Sequence, residues 1–211
     1  MPRAATSKKN RYSVHPGVAM VQKWIADLPE KTGRTLEQWM KLIKTEGPKD
    51  EKKCHMWLKE RHDFGSNTAG WLAKRALGNQ MGLADEDPKH YLKMAKSNVE
   101  EMYAGAKAHL RPIYEALLDL CLNLADDVKA CPCTTIVPLY RNHVIAQIKP
   151  TTNSRIDFGF ALKDTPATGK LIDTGGFAKK DRITHRMEIK SLKDINAELK
   201  KWLKKAYAMD A

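Results

Sequence analysis

The sequence has no long hydrophobic run. No window of about 18 consecutive apolar residues occurs, which is the length that a membrane-spanning helix needs. The first residues, Met1 to Arg11, are basic and are not followed by the apolar stretch of a signal peptide. The sequence therefore predicts a cytoplasmic protein that has no membrane partner.

Cysteines are also scarce. The 211 residues include four, Cys54, Cys121, Cys131 and Cys133, which are too few and too unevenly spaced for a disulfide framework. The Cys131-Pro132-Cys133 tripeptide resembles half of a metal site, but a four-ligand site needs a second pair and none is present. We expect no metal and no cofactor, and we interpret these two cysteines as partly buried thiols beside a strand.

Acidic residues are outnumbered. The chain has 37 Lys and Arg against 25 Asp and Glu, which gives a net charge of +12, and its first 80 residues hold 16 of the cations and only 8 of the acids. A basic excess attracts polyanions through its long-range field, and nucleic acid is the commonest such partner. The charge predicts DNA or RNA as a partner without identifying it.

The spacing of apolar residues divides the chain into two parts and predicts an α+β protein. Helical spacing from His15 to Gly78 predicts four short helices with one tryptophan each, the first running from Pro16 to Leu28 and ending at Pro29. Strict alternation appears after Cys131 and predicts an antiparallel sheet of about four strands, flanked by helices. The predicted segments are a disordered basic arm (1–10), a helical domain (11–80), a linker (81–97) and an α+β domain (98–211).

The third and fourth predicted helices have the outline of a helix-turn-helix. A short turn, Asp63-Phe64-Gly65, separates them. Such a motif contacts bases with the start of its second helix, here Asn67 and Thr68, and places Lys74 and Arg75 near phosphates. Because most helical hairpins of this outline only pack together, simple packing stays open as the alternative.

A second basic segment lies at the end of a polar stretch of roughly 19 residues, Lys163 to Asp181, and extends one residue past it. Loops of that length are uncommon in compact domains and tend to be functional or mobile. Lys179, Lys180 and Arg182 follow Gly175-Gly176, and we add them to the predicted phosphate contacts.

The predicted sheet offers a second working surface. Lys149, Arg155, Asp157 and Arg186 alternate with buried positions and are expected on the face that solvent or a partner reaches. They form either an ion-pair network or a site for a small anionic ligand or a protein partner. His185 alternates to the inner face, where it is either a core histidine or a ligand contact.

A third function, metal-dependent nuclease, rests on Glu188-Ile189-Lys190 at a strand end. Glu188 and Asp157 together are able to hold Mg²⁺, and Lys190 to steady the attacking water. The tripeptide is short enough to arise by chance, so the sequence assigns no catalytic residue.

Several short motifs resemble known families. Thr32-Gly33-Arg34-Thr35-Leu36-Glu37-Gln38-Trp39 and Trp57-Leu58-Lys59-Glu60 resemble a small helical bacterial family of unknown function. Leu110-Arg111-Pro112-Ile113-Tyr114, Ile183-Thr184-His185 and Trp202-Leu203 are similar to a second uncharacterised family, whose relatives are loosely labelled predicted transport proteins. The resemblance implies two domains and no established activity. Charge and outline then favour a non-enzymatic nucleic-acid-binding protein.

Overall fold

The structure, a computed structural model, describes residues 11–78 and 86–211. The chain divides into two compact units. The N-terminal unit is Val14–Met94, and the C-terminal unit combines residues 11–13 with Ala95–Ala211. The predicted basic arm, residues 1–10, and part of the predicted linker lie outside the described residues.

Four helices build most of the N-terminal unit, as the helical spacing predicts. Each inward face holds large apolar side chains, such as Trp39, Leu58 and Leu72, which are at most 1% exposed. The second helix begins at a capping box, in which Thr35 accepts from the Gln38 N–H and Gln38 accepts from the Thr35 N–H. The helices are α1 (Pro16–Thr32), α2 (Leu36–Glu46), α3 (Glu51–His62) and α4 (Ser66–Ala76).

The predicted end of the first helix is wrong, because α1 continues through Pro29 to Thr32. Proline removes one backbone donor but is tolerated here, since other bonds hold the last turn. Gly33 adopts the left-handed conformation, φ 70°, and donates its N–H to the Pro29 carbonyl. The Trp39 indole also donates to the Thr32 hydroxyl at 2.8 Å.

The segment placed in the linker contains a helix, α5 (Pro88–Met102). Proline starts it without losing a helical hydrogen bond, and the Asp87 carboxylate accepts from the Lys89 N–H at 2.9 Å. Ala95 and Val99, one turn apart, are fully buried. The helix ends at Met102, and Gly105–Leu110 then forms a 3-10 helix.

The C-terminal unit is an antiparallel sheet flanked by helices, which confirms the predicted α+β class. The sheet has six strands in the order β1-β2-β3-β4-β6-β5. Two of them, β1 and β5, contain only two residues each. A strand of two residues is too short to show an alternating pattern in the sequence, which explains why about four strands are predicted. The elements are α6 (Arg111–Leu122), β1 (Lys129–Ala130), β2 (Val137–Tyr140), β3 (Val144–Thr152), β4 (Arg155–Phe160), β5 (Ile172–Asp173), β6 (His185–Ile189) and α7 (Ala197–Ala208).

The register of the sheet separates an apolar face from a polar one. Phe158 on β4 pairs with Ile148 on β3 and with Met187 on β6, and all three are buried. Their neighbours along each strand point to the other face, where charged residues meet. Among the described residues, no helix is both long enough and apolar enough to span a bilayer.

Candidate nucleic-acid interface

The turn between α3 and α4 is short and well fixed. Asp63 adopts a left-handed conformation, φ 55°, at the end of α3. The next residue, Phe64, donates its N–H to the Leu58 carbonyl at 3.3 Å and is 9% exposed. A buried side chain in a three-residue turn sets the direction in which α4 starts.

The beginning of α4 lies beside the middle of α3. The His55 Nε2 atom lies 3.0 Å from the Ser66 carbonyl oxygen and 3.2 Å from its hydroxyl. A Cβ on Gly70, one turn further along α4, would lie 4.0 Å from the His55 ring. His55 therefore contacts the first two turns of α4.

One narrow stripe of α4 is open. Asn67, Gly70 and Lys74 lie at i, i+3 and i+7, with Asn67 and Lys74 exposed and Gly70 half-buried. Thr68, predicted beside Asn67 as a base contact, is half-buried and lies off this stripe. Ala69, Leu72 and Ala73 are fully buried on the opposite side of the helix. Of the residues predicted at this helix, the structure thus keeps Asn67 and Lys74 on one accessible line.

Arg75, the remaining predicted contact of α4, is engaged elsewhere. Its guanidinium pairs with the Glu86 carboxylate and lies over the Trp71 ring, 5.6 Å from the centroid. Its side chain is only 16% exposed. The Glu86 charge neutralises Arg75, so this residue adds little to a phosphate-binding surface.

A second stripe, on α3, was not singled out in the sequence. Lys52, His55 and Lys59 also lie at i, i+3 and i+7, and both lysines are exposed. His55 contacts Ser66 and lies next to Gly70, so this stripe borders that of α4. The seven-residue spacing of Lys52 and Lys59 is the sequence signal that places both lysines on one side of the helix. Together the two stripes form what we call the α3–α4 face: Lys52, His55, Lys59, Asn67, Gly70 and Lys74.

Gly70 allows a test of whether the fold itself needs glycine here. A Cβ at this position would meet only the His55 ring, at an ordinary contact distance of 4.0 Å. Glycine inside a helix costs about 0.5–1 kcal/mol relative to alanine. We expect Gly70→Ala to stabilise the chain by about that amount, measured by urea unfolding. A loss of stability would contradict the open space beside Gly70.

The polar face of the sheet carries a closed network of ion pairs. Arg155 Nε lies 3.0 Å from Asp157 Oδ1, and Arg155 Nη1 lies 2.9 Å from Glu188 Oε1. Arg186 Nη1 lies 3.1 Å from the same Asp157 atom and 3.0 Å from the same Glu188 atom. The hydrogen bond from Arg186, together with the charge of Arg155, lowers the pKa of Glu188. Each guanidinium is thus matched by two carboxylates.

The two other predicted ligand residues, Lys149 and His185, lie on opposite faces of the sheet. Lys149 is exposed and pairs in register with Asp157, so it shares this polar face. His185 is 1% exposed and packs on the opposite face, beside Phe160 in the register. Adjacent residues of a strand point to opposite sides, so His185 does not join Arg186. The His185 Nδ1 atom lies 2.8 Å from the Thr184 hydroxyl.

Arg186 occupies the position that a divalent metal would need. Asp157 and Glu188 are register partners on β4 and β6, and the Arg186 guanidinium binds both. In residues 11–78 and 86–211, no group of three or more His, Cys, Asp or Glu side chains is placed to hold a metal ion. Burial also raises the pKa of the Cys131 thiol to about 12, which disfavours the thiolate that zinc requires.

The loop cations divide into two groups. Lys179 and Lys180 are exposed, and Lys180 adopts a left-handed conformation, φ 60°. Arg182 instead donates from Nε to the Val144 carbonyl at 2.7 Å and pairs with the Asp210 carboxylate. Arg182 therefore fastens its loop to the body of the C-terminal unit.

Asp210 is a buried anchor near the end of the chain. Its carboxylate accepts from the His143 N–H at 2.8 Å and lies 3.0 Å from His143 Nδ1. Burial alone would raise the pKa of Asp210, but these hydrogen bonds and the Arg182 charge outweigh burial and lower it. The Asp210 carboxylate therefore joins the β2–β3 turn, through His143, and the loop before β6, through Arg182, to the end of α7.

Comparison with known proteins assigns both units. The model of a domain of unknown function, DUF4287, matches residues 20–77, and that of a second domain of unknown function, DUF5655, matches residues 99–210. These matches confirm the two resemblances found in the sequence. No curated protein and no solved structure matches the chain. Since the second model covers more than half of its length, the chain belongs to the DUF5655 family, with a DUF4287 domain preceding it.

Proposed function

We propose that this protein binds nucleic acid through the α3–α4 face. The observation that carries the proposal is the juxtaposition of two exposed stripes, one on each helix, at His55. Lys52, Lys59 and Lys74 supply three cations, and neither stripe includes an acidic residue. Lysines at this spacing suit the repeated phosphates of a backbone.

Two further features support the same surface. Asn67 stands in the first turn of α4, and its exposed amide is able both to donate and to accept hydrogen bonds with a base or a phosphate. Gly70 leaves the middle of the stripe without a side chain, so a sugar-phosphate backbone can approach the helix closely. The net charge of +12 adds long-range attraction.

The sheet supports the alternative functions less well. An anionic ligand at Lys149, Arg155 and Arg186 would have to displace carboxylates that already bind both arginines. A metal-dependent nuclease would have to remove Arg186 from between Asp157 and Glu188. A protein partner on this face would contact a surface whose charges are largely paired internally.

The test compares two triple variants with the same loss of charge. In Lys52→Ala/Lys59→Ala/Lys74→Ala the proposed contacts are removed, while Lys193→Ala/Lys200→Ala/Lys204→Ala removes exposed lysines of the C-terminal unit. Binding to labelled duplex DNA, single-stranded DNA and RNA is measured by anisotropy between about 50 and 200 mM salt. We expect the first variant to lose at least about tenfold in affinity and about 2 to 3 in the log–log salt slope.

The control triple is expected to keep nearly the wild-type affinity. Equal losses in both triples would mean that only total charge matters, and would contradict a defined interface. Absence of binding by the wild-type chain at the lower salt would overturn the proposed function.

A further inference from the structure

A shallow, open depression, which we call the groove, lies between side chains on the outer side of α3, next to the α3–α4 face. Its volume is about 360 Å³, and its apolar lining consists of Met56 and Trp57. Met56 is 46% exposed, so its thioether is accessible to a partner on this side of α3. The rim is charged and is lined by Lys52, Lys53, Glu60 and Arg61.

The aromatic part of this lining, Trp57, is fixed by contacts with the core of the N-terminal unit. The Trp57 indole packs edge-to-face against the His62 ring, with centroids 4.4 Å apart and an interplanar angle of 73°. His62 in turn packs against Trp39, 5.0 Å away, in the core. Burial, aided by the charge of Arg34, lowers the pKa of His62, so the ring under Trp57 stays neutral near neutral pH. The indole is therefore a fixed apolar surface.

The rim specifies which chemistry suits the groove. Three cations, Lys52, Lys53 and Arg61, surround one carboxylate, Glu60. Phosphates match the cations, and a flat heterocycle matches indole and thioether. Glu60 would repel an acidic peptide but accepts a hydrogen bond from the ring N–H or the exocyclic amino group of a base.

We infer that this groove takes an unpaired nucleobase, which stacks on Trp57 while Lys53 and Arg61 contact the adjoining phosphates. This inference rests on the proposed function and specifies its ligand as single-stranded nucleic acid, or a strand with an unstacked base. A base inside a duplex presents no free face to an indole. Lys52, shared by the groove and the α3–α4 face, joins the two surfaces into one path for a backbone.

The test uses a labelled oligothymidine of about 12 nucleotides and a blunt duplex, both read by anisotropy. Trp57→Leu removes the stacking ring, Trp57→Phe retains an aromatic ring, and Trp24→Leu is the matched control at a half-buried tryptophan outside the groove. We expect Trp57→Leu to weaken oligothymidine binding about tenfold, and Trp57→Phe to restore most of it. Trp24→Leu should leave the affinity unchanged, and duplex affinity should change little in any variant.

A second measurement does not depend on variant folding. An oligonucleotide carrying 5-iodouracil is photo-crosslinked to the wild-type chain, and the modified residue is mapped by mass spectrometry. Attachment at Trp57 or Met56 supports the inference, and attachment only outside the groove overturns it. Equal affinity of wild type and Trp57→Leu for oligothymidine also overturns it but leaves the proposed function standing. Failure of the wild-type chain to bind either probe overturns both.

Discussion

Replacement of Phe158 by alanine is expected to lower the free energy of unfolding by about 3–5 kcal/mol. Phe158 is fully buried at the centre of the sheet, and its ring lies edge-to-face against Phe160, with centroids 4.9 Å apart. Ile148 and Met187 flank it on the neighbouring strands. Strands and helices on all sides limit how far the structure can close the cavity that alanine would leave.

Phe177→Ala is the matched control for this substitution. Phe177 lies in the long loop before β6 and is 54% exposed, so its removal should change stability by at most about 0.5 kcal/mol. Guanidinium unfolding followed by far-UV circular dichroism measures both variants. A loss below about 1 kcal/mol for Phe158→Ala would contradict the packing described for this sheet.

Asp210→Asn is expected to destabilise the chain by about 2–4 kcal/mol, although it changes little in shape. The Asp210 side chain is 3% exposed and accepts hydrogen bonds from His143 and Arg182 with both oxygens. An amide replaces one acceptor with a donor, which would then face the donors of those partners. Asp164→Asn, at an exposed position, is the control with the same change in charge.

The effect of Asp210→Asn should depend on pH. The pKa of Asp210 lies below its ordinary value of 3.8 in the folded chain, because its hydrogen bonds and Arg182 outweigh burial. The folded state therefore binds fewer protons than the unfolded state in this range, and the stabilisation is complete above about pH 4. It is lost as the pH falls through the folded pKa. Unfolding curves at pH 5 and at about pH 3 should show a smaller difference between wild type and variant at the lower pH. A difference that grows with acidity would contradict this account.

The predictable part of the fold is the part with strong local signals. Thr35 and Gln38 mark the start of α2 by residue type alone, and the alternation around Phe158 identifies a half-buried strand. Pro29 misleads because its effect depends on tertiary contacts: Trp39 fixes the last turn of α1 from another helix. Edge strands of two residues contain no period to detect.

The candidate site was partly predictable for the same reason. Asn67 and Lys74 follow from the helix-turn-helix outline, whose turn is encoded in Asp63-Phe64-Gly65. Arg75 also follows from the outline of the two helices, but it pairs with Glu86, eleven residues away. A contact at that separation is not visible in the local spacing of the sequence. Arg182 likewise forms an ion pair with Asp210, 28 residues later in the chain. Charge in a sequence predicts a field, whereas the availability of each cation depends on its partners.

The proposed nucleic-acid interface is tested most directly by ¹H–¹⁵N correlation spectra of the labelled chain during titration with an oligonucleotide. We expect the largest shifts at the amides of α3 and of the first half of α4, centred on Lys52, His55, Lys59, Asn67 and Gly70. The amides around Arg155 and Arg186 should not move, because the charges there are paired within the sheet. Shifts confined to the sheet, or no shifts at saturating oligonucleotide, would contradict the assignment of the α3–α4 face.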